Sequence, residues 1–258
     1  GEAVIEPITI AIATDDETWS TPVRVSSNTN PTNAIQPKVA AAPLQGGAVV
    51  VWSQGPTTGL DDELWAARAD DTGAWSAAEA LGAHVQTYDH EISIDGNGNI
   101  FVAWQEEGID VWATRYASGS GWSAPARIDS GSTAANRWHR IAADDNGNAI
   151  AVWRRGDRVR ANRYTAGTGW GTAADVVPTD MLNIDRLSLG MDAAGNAVAT
   201  WLTGPQGGIM GPPGNTDVQA IQYTVGTGWN GLTPVASGGA LLREHPNLLV
   251  DATGNGLA

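Results

Sequence analysis

The stretch His90-Glu91-Ile92-Ser93-Ile94-Asp95-Gly96-Asn97-Gly98-Asn99-Ile100-Phe101-Val102-Ala103-Trp104 sets two short apolar runs around a Gly/Asn cluster. Residues that tolerate turn geometry, flanked by apolar runs, are how a β-hairpin reads in sequence. A charged loop, Gln105 to Gly108, leads into Asp110-Val111-Trp112-Ala113-Thr114-Arg115-Tyr116. A Gly/Ser turn then ends in Gly121-Trp122, and a last run continues through Pro125 to Ile128. Four strands, A to D, thus occupy the roughly 40 to 50 residues of one propeller blade.

The same text recurs along the chain. Trp52, Trp104, Trp153 and Trp201 follow one another at intervals of 52, 49 and 48 residues in the B position. Trp19, Trp75, Trp122, Trp170 and Trp229 mark strand D. The A to B turn returns as Asp95-x-x-Gly98-Asn99, Asp144-x-x-Gly147-Asn148, Asp192-x-x-Gly195-Asn196 and Asp251-x-x-Gly254-Asn255, while one unit has Ala42 to Gly47 instead. Gly and Pro punctuate the chain every eight to twelve residues and no helical period competes, so the fold class is all-β.

The ends complete the pattern. Ile8 to Ala13 with Trp19 to Val25 matches strands C and D, and His245 to Ala258 matches A and the start of B. Pairing these halves predicts a five-bladed β-propeller of four-stranded blades, closed by N-terminal strands C/D against C-terminal strands A/B, which removes open sheet edges. The expected domain is single, 1–258, with blades at about 36–82, 90–130, 139–178 and 186–237 and a composite blade of 245–258 plus 5–27. Asp95, Asp144 and Asp192 stand nine residues before a strand B tryptophan, and nine from Asp251 runs two residues past Ala258, so either the natural chain stops short there or the sequence belongs to a longer repeat protein.

Charge narrows the partners. With 28 Asp and Glu against 14 Lys and Arg, the formal charge of −14 opposes phosphate backbones, so nucleic acid is not an expected partner. Zero cysteines exclude a disulfide framework and thiol chemistry. No apolar run is long enough for a membrane span. The start at Gly1-Glu2-Ala3 lacks a charged leader, as a mature exported protein would, and an extracellular, periplasmic or cell-surface location is the expectation.

The Asp-x-x-Gly-Asn turn running into Ala-x-Ala-Val-Trp, with Ala161-Asn162-Arg163-Tyr164 and Gly167-Thr168-Gly169-Trp170, resembles the blades of uncharacterised bacterial exported β-propeller repeat proteins over essentially the whole chain. It is distantly similar to the Asp-box of sialidases, although Ser93-Ile94-Asp95 continues with a different spacing. In blade number the chain is similar to the tachylectin type of sugar-binding propeller. These resemblances imply a recognition scaffold and carry no binding residue across.

Candidate chemistry gathers at one end of the blades. His90, His139 and His245 stand just before strand A, with Gln36 and Arg186 in the other units. If strand A lines the channel, three imidazoles at its mouth would suit Zn, Cu or Ni; packing against a neighbouring blade explains the same placement. The B to C loops open on this mouth and vary most: Asp61-Asp62-Glu63, then Glu106-Glu107, then Arg154-Arg155 with Asp157 and Arg158, then Gly204 to Thr216. Variable loops on a repeated frame are where recognition usually resides. Trp138 lies beside His139 and offers a stacking surface for a sugar, or else covers a blade junction.

The expected ligand-binding residues are therefore Trp138, Arg154, Arg155, Arg158, Glu106 and Glu107, with a carbohydrate or protein as ligand. The oxygen-rich Asp-x-x-Gly-Asn turns suggest Ca²⁺ less strongly, because Asp and Asn cap such turns by themselves. No phosphate loop, His-Glu-x-x-His or Gly-x-Ser-x-Gly occurs, and an enzyme is not the leading expectation. A glycoside hydrolase pairing Glu106 or Glu107 with Asp61, Asp62 or Glu63 is the remaining enzymatic alternative.

Overall fold

The structure, a computed structural model, describes residues 9–10, 21–26, 32–41, 47–56, 63–83, 89–106, 109–131, 136–177, 184–204, 216–239, 249–250, 253 and 256–257. Among the described residues all regular elements are strands. Two terminal hairpins flank four larger antiparallel sheets. The N-terminal hairpin joins β1 (Thr9–Ile10) to β2 (Val23–Arg24). The first sheet runs β3 (Thr32–Ala41), β4 (Ala48–Pro56), β5 (Glu63–Ala69), β6 (Glu79–Ala83).

The second sheet runs β7 (His90–Ile94), β8 (Ile100–Glu106), β9 (Asp110–Ala117), with β10 (Gly121–Trp122) and β11 (Ala126–Arg127) both against β9. The third repeats it with β12 (Asn136–Ala143), β13 (Ala149–Arg155), β14 (Arg158–Thr165), β15 (Gly169–Trp170) and β16 (Ala174–Asp175). The fourth runs β17 (Asp185–Met191), β18 (Ala197–Thr203), β19 (Thr216–Thr224), β20 (Gly228–Gly239). The C-terminal hairpin pairs β21 (Leu249–Val250) with β22 (Gly256–Leu257). Among the described residues no helix is long and apolar enough to cross a membrane.

First strands stand side by side in chain order, β3 by β7, β7 by β12, β12 by β17, and β17 by β21. The sheets therefore pack face to face in succession. A second strand in such a stack is covered on both faces, which explains why β4, β8 and β13 are nearly continuous runs of Val, Ile, Ala and Phe. The strand B tryptophan is the wedge at each junction. Trp104 packs among Val49, Val51, Leu64 and Ala66 of the first sheet, and Trp153 among Phe101, Ala103, Val111 and Ala113 of the second. Trp201 meets Ile150, Val152 and Val159 of the third sheet, and Trp52 meets Val25 beside the N-terminal hairpin. All four are fully buried, and an indole of this size accounts for about 150–250 Å² of buried surface at its junction.

The A to B turns fasten one sheet to the next. In the second sheet Asp95 Oδ1 accepts from the backbone N–H of Asn97 (2.9 Å) and Asn99 (2.7 Å), while Oδ2 accepts from Asn99 Nδ2 (2.6 Å). Asp144 and Asp192 hold their turns in the same way. Gly98 takes φ 77°, a left-handed conformation that suits glycine. Across the junction, Gly96 N–H donates to Asp145 Oδ1 (2.9 Å), and Asn146 Nδ2 donates to the Ala193 carbonyl (3.2 Å).

Candidate functional site

The antiparallel order places B to C loops and the starts of the first strands at one end of the sheets, and both sets of tight turns at the other. At the B to C end the register fixes the equivalent positions. Lys38 pairs with Val51, Glu91 with Ala103, Arg140 with Val152 and Ser188 with Thr200, each one residue before the strand B tryptophan. The histidine position is one step earlier and holds Pro37, His90, His139 and Leu187. The counterparts expected at Gln36 and Arg186 are thus displaced by one residue, because β3, β12 and β17 each bulge there; Gln36 and Arg186 themselves have φ of 54° and 58°.

Neither described histidine opens onto a channel. His90 and His139 are fully buried, at a position where the fourth sheet buries Leu187. His90 Nε2 donates to the Val51 carbonyl of the first sheet (3.2 Å), and both ring nitrogens of His139 are buried without a hydrogen-bond partner among the described residues. Burial drives both imidazoles down to a pKa of about 4, with the Lys38 charge adding to the shift at His90 and Arg140 and Lys38 adding at His139. His245 lies outside the described residues. Among the described residues no three His, Cys, Asp or Glu side chains gather as a metal site.

Next to the histidine position the first strands carry partly exposed charges, Lys38, Glu91 and Arg140. Lys38 Nζ lies 2.7 Å from Glu91 Oε1 and 3.4 Å from Asp89 Oδ1, and Arg140 Nη1 lies 2.9 Å from the same Glu91 oxygen. This chain, plus to minus to plus, joins three sheets and uses the only lysine in the sequence. Sequence reading missed it, although these residues alternate with the histidines at the strand period of two.

Of the expected ligand-binding residues, Arg154, Arg155 and Arg158 come together on the β13–β14 hairpin, all half-buried. Arg154 Nε donates to the Gly156 carbonyl (2.7 Å). Arg158 pairs with Asp175, which also meets Arg160 Nε at 3.2 Å. Burial lowers the pKa of Arg160, with Arg155 adding to the shift. Glu106 is half-buried at the end of β8, whereas Glu107, Asp61 and Asp62 lie outside the described residues. Trp138 falls in β12 and its side chain is outside the described set.

A network missed by sequence reading ties the second sheet to the third at this end. Buried Asp129 accepts from Arg127 Nε (2.7 Å) and Asn136 Nδ2 (3.0 Å), Asn136 Nδ2 also donates to the Ile109 carbonyl, and Gln105 Nε2 donates to the carbonyl of Asn136. The hydrogen bond that Arg127 donates to Asp129 holds the Arg127 pKa up.

The Gly-Trp series is packing. Trp122, Trp170 and Trp229 are half-buried and meet Tyr116, Tyr164 and Tyr223 edge to face, with centroids 5.4, 5.6 and 5.4 Å apart.

No protein-family model matches this chain, and no curated protein matches it. Solved structures do. A protein of unknown function from Dyadobacter fermentans is 16% identical, with 84% of this chain and 72% of that chain covered and a TM-score of 0.56. The fold is propeller-like. A mutant of the Aleuria aurantia lectin in complex with α-methyl-L-fucoside is 15% identical over 87% of this chain and 68% of that one, with a TM-score of 0.52. A mutant of the NanB sialidase of Streptococcus pneumoniae is 9% identical over 92% and 56%, with a TM-score of 0.53. At such identities the likeness concerns architecture alone.

Proposed function

We propose that the chain is an exported carbohydrate-binding module, a single five-bladed ring closed by its terminal hairpins, which recognises its ligand at the B to C end of the sheets. The observation that carries this reading is the β13–β14 hairpin, where Arg154, Arg155 and Arg158 stand together and partly exposed while the strand B and strand D tryptophans are committed to packing. A repeated rigid frame with divergent polar loops at one end suits recognition, and guanidinium groups donate in a planar fork to vicinal hydroxyls or to an acidic sugar. The fucoside-binding lectin of similar architecture supports the ligand class. The neighbours of the ends support closure, since β21 lies against β17 and Val25 packs on the first sheet.

A glycan array probed with the wild-type protein and with Arg155→Ala tests the reading. Binding to a defined group of glycans, weakened at least tenfold in the variant, is the expected result. Equal binding by the two proteins would move the site elsewhere, and binding to no glycan would reject the carbohydrate assignment.

A further inference from the structure

The β13–β14 hairpin differs in charge from its counterparts in the other three sheets. Two adjacent rungs of the third sheet hold four arginines: Arg155 stands between Asn136 and Arg158, and Arg154 between Arg137 and Val159. Distance from the strand B tryptophan identifies the same rungs elsewhere. In the first sheet Gln54 is opposite Glu63, and Ser53 lies between Ile35 and Leu64. In the second Glu106 is opposite Asp110, and Gln105 opposite Val111. In the fourth Thr203 is opposite Asp217, and Leu202 lies between Asp185 and Val218. Outside the third sheet, every charged residue among these is an acid.

Part of the reversal is structural. Asp110 pairs with Arg127 of β11 in the second sheet, and Arg158 pairs with Asp175 of β16 in the third, so one ion pair is kept with its charges exchanged. That accounts for Arg158 and leaves three arginines. Arg137 is exposed, Arg154 and Arg155 are half-buried, and none of them pairs with a carboxylate among the described residues. Arg154 engages only its Nε, on the Gly156 carbonyl. Like charges placed directly opposite each other destabilise a ladder, and here Arg137 faces Arg154 and Arg155 faces Arg158. Asp157, exposed at the tip, offsets one of these charges. Folding alone gives no reason for the rest.

We propose that these unpaired guanidinium groups hold an oxyanion, so that the glycan read at the B to C end carries isolated carboxylate or sulfate groups, with Arg137 as a further binding residue. The assignment rests on the carbohydrate reading above and narrows its ligand class. Side chains alternate across a strand, which puts Arg137 and Arg154 on one face of the sheet and Arg155 and Arg158 on the other. Guanidinium therefore flanks the end of the hairpin from both sides, and its planar fork suits two oxygens of one anionic group. The formal charge of −14 does not prevent this, since exposed charges more than about 8 Å away are largely screened at physiological salt. It does restrict the partner. A nucleic acid strand carries a charge about every 3.4 Å and would run from the arginines onto the acidic rungs of the second or fourth sheet. A glycan with separated anionic groups avoids them.

Calorimetry with two matched pairs, digalacturonic acid against its dimethyl ester and sulfated lactose against lactose, separates carboxylate from sulfate and both from neutral sugar. The variants are Arg137→Gln, Arg155→Gln, which installs the residue type of Gln54, and the two combined. Arg68→Gln, beside the tight turn of the first sheet, removes one positive charge at the opposite end and is the control. Melting curves confirm that each variant is folded. The expected result is that at least one anionic sugar binds the wild type at least tenfold more tightly than its neutral partner, with the preference weakened in each single variant, lost in the double variant and kept in Arg68→Gln. Equal affinity within both pairs overturns the anion assignment, and a joint loss of both members in Arg155→Gln would then leave the carbohydrate reading standing. An anionic preference that survives the double variant overturns its placement on this hairpin. A short single-stranded DNA bound as tightly as the anionic sugars would show unselective attraction and overturn the glycan class. No binding of any of these sugars overturns the inference, whereas array binding of neutral glycans, lost in Arg155→Ala, would separately preserve the first reading.

Discussion

The guanidinium of Arg163, on the third sheet, lies 5.4 Å from the ring centroid of Tyr223 on the fourth and donates to its hydroxyl at 2.8 Å. Arg68 repeats the contact with Tyr116 at 3.9 Å, and Arg115 stands 5.6 Å from Tyr164. The first three sheets thus reach forward with an arginine, and the fourth has Gln222 at that position. A double-mutant cycle of Arg163→Ala and Tyr223→Phe, read by urea denaturation, is expected to give a coupling of about 0.5–2 kcal/mol. Additive effects would show that the contact contributes no stability.

Acid should loosen the stack. His90 and His139 have folded pKa values near 4 against an ordinary 6.5, so the unfolded chain takes up protons first. Their contribution to stability is complete above about pH 6.5 and declines as pH falls towards 4, by about 2 kcal/mol per histidine at pH 5. His139→Leu, which installs the residue type of Leu187, is expected to reduce this decline and to leave stability at pH 7.5 equal or about 1 kcal/mol higher, since both ring nitrogens lack partners among the described residues. Urea titrations at the two pH values check it; an unchanged acid slope would contradict the burial argument.

The two tryptophan series should differ in cost. Trp153→Ala removes a fully buried wedge, with an expected loss of about 3–5 kcal/mol. Trp170→Ala removes a half-buried ring that meets Tyr164 by its edge, and a loss of about 1–3 kcal/mol is expected. Chemical denaturation of both variants gives the comparison, and equal losses would count against separate roles.

Asp144→Ala leaves the N–H groups of Asn146 and Asn148 and the amide of Asn148 without their acceptor. Destabilisation by about 2–3 kcal/mol is expected. Because that carboxylate is already engaged within its turn, the wild-type melting temperature should be the same with Ca²⁺ or with a chelator. A rise with Ca²⁺ would show that the turn binds the ion.

The repeating frame was legible because each part advertises itself by residue type: Asp and Asn for the turns, Trp for the wedges, β-branched runs for the covered strands. The burial of His90 and His139 was not legible from residue type, because it depends on which face of the strand each side chain takes, and one residue along a strand exchanges the two faces. The charged chain through Glu91 was there to be read by the same alternation.

In the first three sheets the tryptophan wedge faces backward along the stack and the arginine faces the sheet after it, so the stack has a direction. A duplicated coding segment would yield a sheet whose leading surface already suits the trailing surface of its template. Such a scaffold can lengthen during evolution by copying alone, with no new contact to be invented, and selection is left free to act on the loops.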